Sequence, residues 1–564
     1  MTFFPALFLQ DTSLPASSLP TMAGRAATVR ALASRPRLTL PTLLAGCSSS
    51  RAIATSSAAT PHTAHRSRRT SLTTFNTLRA SYTTEAAKRD LIDELDKRGL
   101  IQTLTSRAIR SHLSTAPRVV YSGVDPSAPS LHVGNLLPLF TLAHFARYDH
   151  KPIVLVGGAT GSIGDPSGRS TERNALDKKV LEANVEGIKR QLKAFFANVH
   201  EYYSEKGETI GNSKESSTAQ GVQLGMGIQL MNNYDWTKDV TLLDFLGSVG
   251  RHARLTQMLA RDSVASRLSP QTPPSSDSSP SSAGGMSYTE FSYQLLQAYD
   301  FSHLHTTSSC TVQIGGSDQL GNITAGIDLI RRTTGLSHDD PAFGLTLPLL
   351  TTSSGEKFGK SAGNAVWLDG DKTSDLDFYQ FFLRSTDADV GRYLRCLTLL
   401  DVEYVDEVLG LHEGEKKKRL AQRVLADHIT SLIRGKAAAQ KCKALTDILF
   451  SHTTNLGSDA TAAAKDALSK LDLRSITEKD NILTNLDEDV TKVVVSAGLV
   501  KSRGEAKRLL ASGGLYVNNR QIGKDDGGEN GVLEEDLVEA EGGEGKVCLL
   551  RAGKGAVRVV HIAN

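Results

Sequence analysis

Two short apolar runs, each leading into a glycine turn, mark the start of the folded part of the chain. The runs are RVVYSGV and KPIVLVGGATG, both rich in β-branched residues, and apolar residues at helical spacing precede them over 85–100. Strand, glycine turn and helix in alternation predict an α/β fold with a parallel, doubly wound sheet. Ligands bind such sheets where the strands end, so Gly123 and the turn at 157–168 should face one site.

The hydrophobic pattern changes further along the chain. An arginine-rich helix is predicted from Arg251 to Arg267, and the Ser/Pro-rich residues 269–285 that follow have no means of packing a core. Apolar spacing is helical from about residue 375 to 450. Residues 486–523 predict a helix pair, a turn and a short strand.

These changes define the predicted domains. An α/β domain covers residues 85–370 and carries 269–285 as a disordered insertion. An α-helical domain covers 371–480, and a small α+β domain covers 481–564.

The first 84 residues differ in composition from everything after them. They contain nine arginines, no lysine and one acidic residue, Asp11. Cationic, acid-poor segments rich in Ser, Thr and Ala are typical of organelle import peptides, which are removed after import. We therefore predict a mitochondrial transit peptide over residues 1–84, cleaved near 70–88. A disordered basic arm is the alternative.

Composition narrows the classes of function. A chain of 564 residues can form several domains. A net charge of +3 is no strong basic excess, so any RNA site must be a local patch. The five cysteines lack metal-ligand spacing, which predicts free thiols and no metal site. No apolar run is long enough to cross a bilayer, so no membrane span is expected.

Two short motifs suggest phosphate chemistry. His132 lies in the turn LHVGN, where a lone histidine is more often structural than catalytic. The motif KFGKS, residues 357–361, places two lysines and a hydroxyl in a glycine-containing loop, where lysines can neutralise charge on a phosphate chain; alone it could be a solvated basic turn. Together the two motifs resemble the paired signatures of class I aminoacyl-tRNA synthetases.

Further stretches narrow that resemblance. The chain contains, in this order, YSGVDPSAPSLHVGN, GGATGSIGDPSG, MSYTEFSYQLLQAYD, QIGGSDQLGNITAG and KFGKS. All five resemble the bacterial-type tyrosyl-tRNA synthetases, to which mitochondrial enzymes belong, and the resemblance runs from about residue 88 to the end. It implies a Rossmann-type catalytic domain, an α-helical anticodon-binding domain and an S4-like RNA-binding domain.

The resemblance also implies the reaction. Tyrosine carboxylate attacks the α-phosphate of ATP, pyrophosphate leaves, and tyrosyl-adenylate passes its acyl group to the 3′ end of tRNA(Tyr). In-line displacement at phosphorus requires positioning and stabilisation of negative charge rather than a protein nucleophile. ATP with Mg²⁺ is then a substrate complex, and no tightly bound cofactor is expected.

For tyrosine, the resemblance implies that Tyr121 and Asp300 hold the phenol, one donating and one accepting a hydrogen bond. Phenylalanine would leave both groups unpaired. The residues implied at the α-ammonium group are Asp165, Thr160, Tyr293 and Gln297. Because Tyr293, Gln297 and Asp300 are spaced i, i+4 and i+7, one helix face should present all three. An amphipathic core helix is the alternative interpretation of that stretch.

For ATP, the resemblance implies that Ser127 and His132 meet the γ-phosphate in an electrostatic role. Lys357 and Lys360 would close over the same phosphates, and Gln319 would lie beside the tyrosine carboxylate and the reacting phosphate. The other implied ATP contacts are Gly123, Asp125, Gly134, Asn135, Gly316, Asp318, Phe358, Gly359 and Ser361.

Two positions depart from the family pattern. Many relatives have a second histidine where Asn135 stands, and often a tryptophan where Leu320 follows SDQ. Asparagine can still donate a hydrogen bond to a ribose oxygen.

The C-terminal domain would bind RNA through phosphate contacts from the cations of its helix pair. These cations are Lys501, Arg503, Lys507 and Arg508. Residues 525–544 contain nine acids and no basic residue, and are expected to form a solvated loop. The resemblance implies tRNA(Tyr), L-tyrosine and ATP as partners, a homodimer, no membrane contact and a mitochondrial matrix location.

Three other functions are alternatives to a tyrosyl-tRNA synthetase. A tryptophanyl enzyme shares the fold, but a buried acid placed for a phenol fits tryptophan poorly. A non-catalytic RNA chaperone would be expected to have lost His132, the KFGKS lysines or Asp165. Some mitochondrial tyrosyl enzymes of filamentous fungi also stabilise group I introns, so an additional RNA-folding role stays open, although residues 269–285 carry little charge for binding phosphate.

Overall fold

The computed structural model describes most of the chain from Asp90 to Ile562. The ranges outside the described residues are 1–89, 168–175, 209, 211–215, 219–220, 269–285, 336–341, 357, 362–363, 451–480, 485–488, 519, 523–535, 540–545, 554–555 and 563–564. The predicted transit peptide and the predicted disordered insertion therefore lie outside the described residues.

An eight-stranded mixed sheet forms the centre of the first domain. Its strands are β1 (Thr103–Leu104), β2 (Val119–Val124), β3 (Lys151–Val156), β4 (Ser216–Thr218), β5 (Gly221–Gln223), β6 (Gln229–Asn232), β7 (Cys310–Gly316) and β8 (Phe343–Leu347). The strand order is β1-β8-β7-β2-β3-β6-β5-β4. Strands β2, β3, β6, β7 and β8 are parallel, and β1, β4 and β5 add to the edges in antiparallel pairings.

The order of the parallel strands indicates where a ligand-binding crevice forms along the sheet. The chain winds outward through β2, β3 and β6 and then returns to β7 on the other side of β2, so the topology reverses between β2 and β7. A crevice opens beyond the carboxyl ends of the strands at such a reversal, and ligands bind there in doubly wound sheets. The predicted Rossmann-type α/β fold is confirmed.

Helices cover both faces of this sheet. They are α1 (Leu91–Lys97), α2 (Ile109–Thr115), α3 (Leu136–Arg147), α4 (Lys178–Glu205), α5 (Tyr234–Thr237), α6 (Leu242–Ser248), α7 (Leu255–Leu259), α8 (Asp262–Leu268), α9 (Tyr288–Ser308) and α10 (Leu320–Thr334). Side chains cap several of their first turns, as Asp90 does for α1 and Ser287 for α9. Fully buried aromatic residues, Phe140 and Phe195 among them, pack α3 against α4.

The prediction of one arginine-rich helix from Arg251 to Arg267 is wrong. The structure has a 3₁₀ turn at Gly250–His252, an extended Arg254, and the two short helices α7 and α8. The break lets two arginines turn towards α9, where Arg261 donates to Gln294 and Arg267 to Glu290. Contacts with a neighbouring helix thus override the local helical preference.

Five helices follow a short hairpin of β9 (Lys360–Ser361) and β10 (Asn364–Ala365). They are α11 (Asp375–Leu383), α12 (Asp387–Cys396), α13 (Val402–Gly414), α14 (Leu420–Arg434) and α15 (Lys436–Phe450). Their apolar faces share one core with α1, α3 and α4. The buried Arg98 guanidinium donates to the backbone oxygens of Arg395, Thr398 and Leu400, which ties α1 to the end of α12.

The last part of the chain has its own core. Its elements are β11 (Asn481–Thr484), α16 (Val490–Ser496), α17 (Arg503–Ala511), β12 (Leu515–Val517), β13 (Arg520–Gln521), β14 (Val538–Glu539), β15 (Lys546–Ala552) and β16 (Ala556–Ile562). The expectation that residues 525–544 form only a solvated loop is wrong in part. Asp536 is buried and accepts two hydrogen bonds from Arg520. These charge-assisted hydrogen bonds offset the free-energy cost of removing the carboxylate from water.

The described residues contain no helix long and apolar enough to cross a membrane. Four of the five cysteines, Cys310, Cys396, Cys442 and Cys548, are buried free thiols, as predicted, and Cys47 lies outside the described residues.

Candidate active site

A buried phenol and a buried carboxylate lie together at the reversal of the strand order. Tyr121 points from the middle of β2, is 1% exposed, and has a hydroxyl without a hydrogen-bond partner among the described residues. Asp300 on α9 is 4% exposed and accepts hydrogen bonds from Asn233 Nδ2 and Trp236 Nε1, each at 2.9 Å. A buried hydroxyl without a partner costs free energy, so this one is suited to a polar group of a ligand.

Burial sets the protonation of this pair. Desolvation raises the pKa of Asp300 to about 7, while the hydrogen bonds from Asn233 and Trp236 lower it and the charge of Asp125 raises it. Burial also raises the pKa of Tyr121 well above its ordinary value, and the charge of Asp300 adds to that effect. The Tyr121 hydroxyl is therefore neutral near pH 7 and can act as a donor.

A second group of side chains continues from this pair towards the sheet edge. Asp125, just beyond β2, accepts hydrogen bonds from Thr160 Oγ1 at 3.0 Å and from Tyr293 Oη at 2.8 Å. Asn233 Nδ2 donates to Thr160 Oγ1 at 3.0 Å as well as to Asp300. One hydrogen-bonded chain thus connects the carboxyl end of β2, the turn after β3, the residue after β6 and helix α9.

The turn after β3 is built to let Asp125 and Thr160 meet. A Cβ atom on Gly157 would lie 2.3 Å from Asp125 Oδ1 and 2.4 Å from Thr160 Oγ1. Only glycine leaves room for that hydrogen bond. The first glycine of GGATG, Gly157, is therefore required by side-chain packing at the site.

A third group lies at the carboxyl end of β7. Gln319 Nε2 donates to Asp165 Oδ2 at 2.6 Å, and Gln297 Nε2 donates to Gln319 Oε1 at 3.2 Å. Asn322 Nδ2 lies within 3.0 Å of Gln297 Oε1 and 3.4 Å of Asp165 Oδ1. Acceptor oxygens of Asp165 and Gln297 converge here, which suits a cationic group such as an ammonium.

The histidine turn has a defined geometry. His132 Nδ1 accepts a hydrogen bond from the Gly134 backbone N–H at 3.0 Å, and Asn135 Oδ1 accepts one from the His132 backbone N–H at 3.0 Å. With Nδ1 accepting, a neutral imidazole carries its proton on Nε2, which can donate it to an anion. The Trp367 ring lies at the edge of the imidazole, with 6.2 Å between centroids.

The two signature motifs of the sequence meet in space. The Val133 backbone N–H donates to the Val366 backbone oxygen at 2.9 Å. Gly359 has a φ of +84°, and a Cβ atom there would lie 2.3 Å from Val133 Cγ2. Phe358 is buried with its ring centroid 4.5 Å from that of Tyr393. The KFGKS loop is thus packed between the histidine turn and helix α12.

Comparisons with known proteins agree with this geometry. The family described as tRNA synthetases class I (W and Y) matches residues 113–451. The mitochondrial tyrosine-tRNA ligase of Saccharomyces cerevisiae is 37% identical over 479 residues, covering 84% of this chain and 89% of the yeast protein. The tyrosine-tRNA ligase of Roseiflexus castenholzii is 39% identical over 473 residues, covering 84% of this chain and 99% of the bacterial protein.

The chain belongs to the tyrosine-tRNA ligases. It is therefore an aminoacyl-tRNA synthetase of class I, and the predicted family, activity and enzyme class are confirmed. Among solved structures, a C-terminally truncated mitochondrial tyrosyl-tRNA synthetase of Aspergillus nidulans aligns with a TM-score of 0.56 at 31% identity. That alignment covers 67% of this chain and 100% of the solved chain.

All six residues predicted to contact tyrosine lie in the side-chain groups of this site in this tyrosine-tRNA ligase. The structure brings Tyr121, Asp300, Thr160, Tyr293, Asp165 and Gln297 into the groups described above, with Asp125 from the predicted ATP-binding set and Gln319 from the predicted catalytic set. Ser127 and Asp318 are exposed at the same edge, and the Ser127 backbone N–H donates to the Asp125 backbone oxygen at 2.9 Å. Gly123 is exposed at the end of β2, and Gly316 ends β7.

The KFGKS lysines are described only in part. Lys357 lies outside the described residues, and Lys360 and Ser361 form strand β9. Their predicted contacts with phosphates stay predictions.

Sequence reasoning missed three side chains of the site. Asn233 and Trp236 hold Asp300, and Asn322 links Asp165 to Gln297. The stretch NNYDW begins at the last residue of β6, and polar residues at the carboxyl end of a parallel strand are a usable signal for this edge.

The four cations predicted to bind RNA lie on the surface of the last domain. Lys501, Lys507 and Arg508 are exposed, and Arg503 is exposed with an ion pair to Asp489 at 2.9 Å. In the described part of the chain no group of His, Cys, Asp or Glu residues is arranged to hold a metal ion.

Proposed function

We propose that the chain activates L-tyrosine with ATP, forming tyrosyl-adenylate and pyrophosphate, and then transfers tyrosine to the 3′ end of tRNA(Tyr). The observation that carries this proposal is the buried Tyr121 hydroxyl without a partner, next to the buried Asp300 at the reversal of the strand order. A substrate phenol fits there because it can accept from Tyr121 and donate to Asp300. Phenylalanine cannot do either.

The other roles follow from position. The α-ammonium group of tyrosine is proposed to bind the acceptors of Asp165, Gln297, Tyr293 and Thr160. Gln319 lies between Gln297 and Asp165 and would meet the carboxylate that attacks phosphorus. These side chains already form hydrogen bonds with one another. The ammonium group of tyrosine would therefore bind to side chains that are held in position before it arrives.

ATP is proposed to lie along the same edge. His132 Nε2–H and the Ser127 hydroxyl would donate to the γ-phosphate, and Lys357 and Lys360 would neutralise the charge that grows on the leaving pyrophosphate. The residues proposed around adenine, ribose and the loop backbone are Gly123, Asp125, Gly134, Asn135, Gly316, Asp318, Phe358, Gly359 and Ser361. Mg²⁺ would arrive with ATP as its counter-ion.

RNA binding is proposed for the two C-terminal regions. The helices over 375–450 would receive the anticodon region of tRNA(Tyr). The S4-like domain would contact phosphates through Lys501, Lys507 and Arg508, with Arg503 weakened by its ion pair to Asp489. With residues 1–84 as transit peptide, the site of action is proposed to be the mitochondrial matrix.

A homodimer is proposed through the apolar surface near α6 and α7. Leu242 and Leu243 in α6, Leu255 in α7 and Tyr288 at the start of α9 are each at least 66% exposed, and exposed large apolar side chains are candidates for a protein interface. Sedimentation of Leu243→Asp tests this, with Leu411→Asp on α13 as the control. A monomer only for Leu243→Asp is the expected result, and an unchanged dimer would place the interface elsewhere.

The activity is tested by exchange of labelled pyrophosphate into ATP, using protein that begins near Glu85 and comparing tyrosine, phenylalanine and tryptophan. Exchange with tyrosine alone is expected. Exchange with tryptophan would reassign the pocket, and no exchange from folded protein would exclude the adenylate reaction.

A further inference from the structure

Helix α9, which carries the proposed tyrosine contacts, is held at its start by a buried ion pair. Arg267 in α8 donates from Nη1 to Glu290 Oε1 at 2.7 Å and from Nη2 to Glu290 Oε2 at 2.9 Å. The two side chains are 10% and 3% exposed. A bidentate pair shielded from water fixes both distance and orientation.

A second arginine holds the next turn of the same helix. Arg261, directly before α8, donates to Gln294 Oε1, and Gln294 Nε2 donates to the Phe291 backbone oxygen at 2.9 Å. Gln294 is 3% exposed. We call Arg261, Arg267, Glu290 and Gln294 the arginine brace.

The brace lies one turn from the tyrosine contacts. Glu290 precedes Tyr293 by three residues, and Gln294 precedes Gln297 by three. An α-helix moves as a unit, so a shift at Glu290 would move the Tyr293 hydroxyl away from Asp125, to which it donates at 2.8 Å. Losing Arg267 would also leave the Glu290 carboxylate buried without its partner.

The two partners of the ion pair are far apart in the sequence. Residues 269–285 lie between Arg267 and Glu290 along the sequence, so their ion pair is a long-range contact between two helices. The bidentate contact between Arg267 and Glu290 therefore joins α8 directly to the first turn of α9.

We propose that Arg267 and Arg261 are positioning residues that set the affinity for tyrosine by fixing α9 against α8. This inference rests on the proposed function, because it assigns the brace to the same pocket. The brace touches neither substrate. It acts through Tyr293 and Gln297.

The test is pyrophosphate exchange with active sites counted by a single-turnover burst of adenylate. Arg267→Met and Glu290→Gln are expected to raise the KM for tyrosine by about 2- to 30-fold, the range for residues that act on a ligand at a distance, with the KM for ATP unchanged. The charge-reversed pair Arg267→Glu with Glu290→Arg is expected to restore most of the tyrosine KM. Arg331→Met is the control, because its ion pair with Asp328 is more than a third exposed.

Partial unfolding has a different signature. It would lower the fraction of active sites and leave the KM of the remaining sites unchanged, and that result in both Arg267→Met and Glu290→Gln would overturn the proposal. Equal rises in the KM for tyrosine and for ATP would also overturn it. Absence of exchange in the unmodified protein would instead contradict the proposed function, so the two failures are distinguishable.

Discussion

The two ends of the proposed site differ in how they are built. At the phenol end, Tyr121 and Asp300 are almost completely buried and Asn233 and Trp236 hold the carboxylate from the side. At the phosphate end, His132 is only partly buried, Ser127 is exposed, and the KFGKS loop packs on the histidine turn through Val133 and Gly359. The proposed phenol end is thus enclosed by buried side chains, and the proposed phosphate end is more exposed to solvent.

Because of this difference, the two ends are expected to contribute to different steps, the phenol end to binding and the phosphate end to stabilising the transition state. A buried pocket with a full set of donors discriminates in binding, since an imperfect ligand leaves polar groups unpaired. An open end that bears donors and cations contributes most when negative charge spreads in the transition state. Variants at the phenol end should therefore change tyrosine affinity and specificity, and variants at the phosphate end should change the maximal rate.

The largest effect is expected for Asp300→Ala, which removes the phenol acceptor and leaves the donors of Asn233 and Trp236 without a partner. At about 1–3 kcal/mol for each unsatisfied buried group, kcat/KM for tyrosine should fall by about 10²- to 10⁴-fold. Exchange kinetics with varied tyrosine give this value. Asp328→Ala on α10, whose carboxylate is 39% exposed, is the control. An equal loss in ATP affinity would contradict a pocket specific for the phenol.

His132→Ala should lower kcat rather than raise the KM for tyrosine. Removing one donor from a developing negative charge lowers kcat by about 10²- to 10³-fold, and the KM for tyrosine should stay unchanged. Single-turnover formation of adenylate at saturating tyrosine measures the step directly. If the variant lost tyrosine affinity instead, the division between the two ends would be wrong.

Gly359→Ala tests the contact between the loop and the histidine turn. The substitution forces a side chain into a positive φ and against Val133 Cγ2. Gly355→Ala is the matched control, because its φ is +85° and no atom lies within 4 Å of the added Cβ. Strain in the left-handed region costs about 1–2 kcal/mol at both positions, so it cancels when the two variants are compared. We expect kcat of Gly359→Ala to fall about tenfold below that of Gly355→Ala, and this difference measures the effect of the contact with Val133. Equal losses in both variants would show that the packing on Val133 has no catalytic effect.

The pH dependence sharpens the description of the phenol end. Burial raises the pKa of Asp300 to about 7, so its protonated carboxyl group loses a proton as pH rises through that value and becomes the carboxylate that accepts from the phenol. In the free enzyme kcat/KM for tyrosine should rise with an inflection near pH 7. Trp236→Phe removes a hydrogen bond that lowers this pKa, so the inflection should move to higher pH. Tyr234→Phe is the neighbouring control, and a downward shift would contradict the assignment.

The smallest effect is expected far from both ends. Lys507→Gln should leave pyrophosphate exchange unchanged and reduce the slope of log affinity for tRNA against log salt by about one. Arg503→Gln should change that slope less, since Asp489 already neutralises part of its charge. Filter binding at several salt concentrations measures both slopes. A larger slope change for Arg503→Gln would contradict the ranking.

Sequence reasoning predicted the parallel sheet, the helical region and the set of residues at the strand ends, because strand periodicity, glycine turns and motif order are local properties. It also placed Tyr293, Gln297 and Asp300 on one face, which the helix Tyr288–Ser308 provides. It failed where a distant contact decided the outcome. The break of the helix after Arg251 and the burial of Asp536 both depend on partners remote in sequence.

By itself, then, the sequence determined which chemical groups this protein possesses and in which order the elements carry them. The tertiary structure alone decided which groups bond one another: Asn233 and Trp236 to Asp300, Thr160 and Tyr293 to Asp125, and Arg267 to Glu290. The physical reason is that a hydrogen bond or an ion pair depends on a separation of about 3 Å and on shielding from water, and neither quantity exists until the chain has folded.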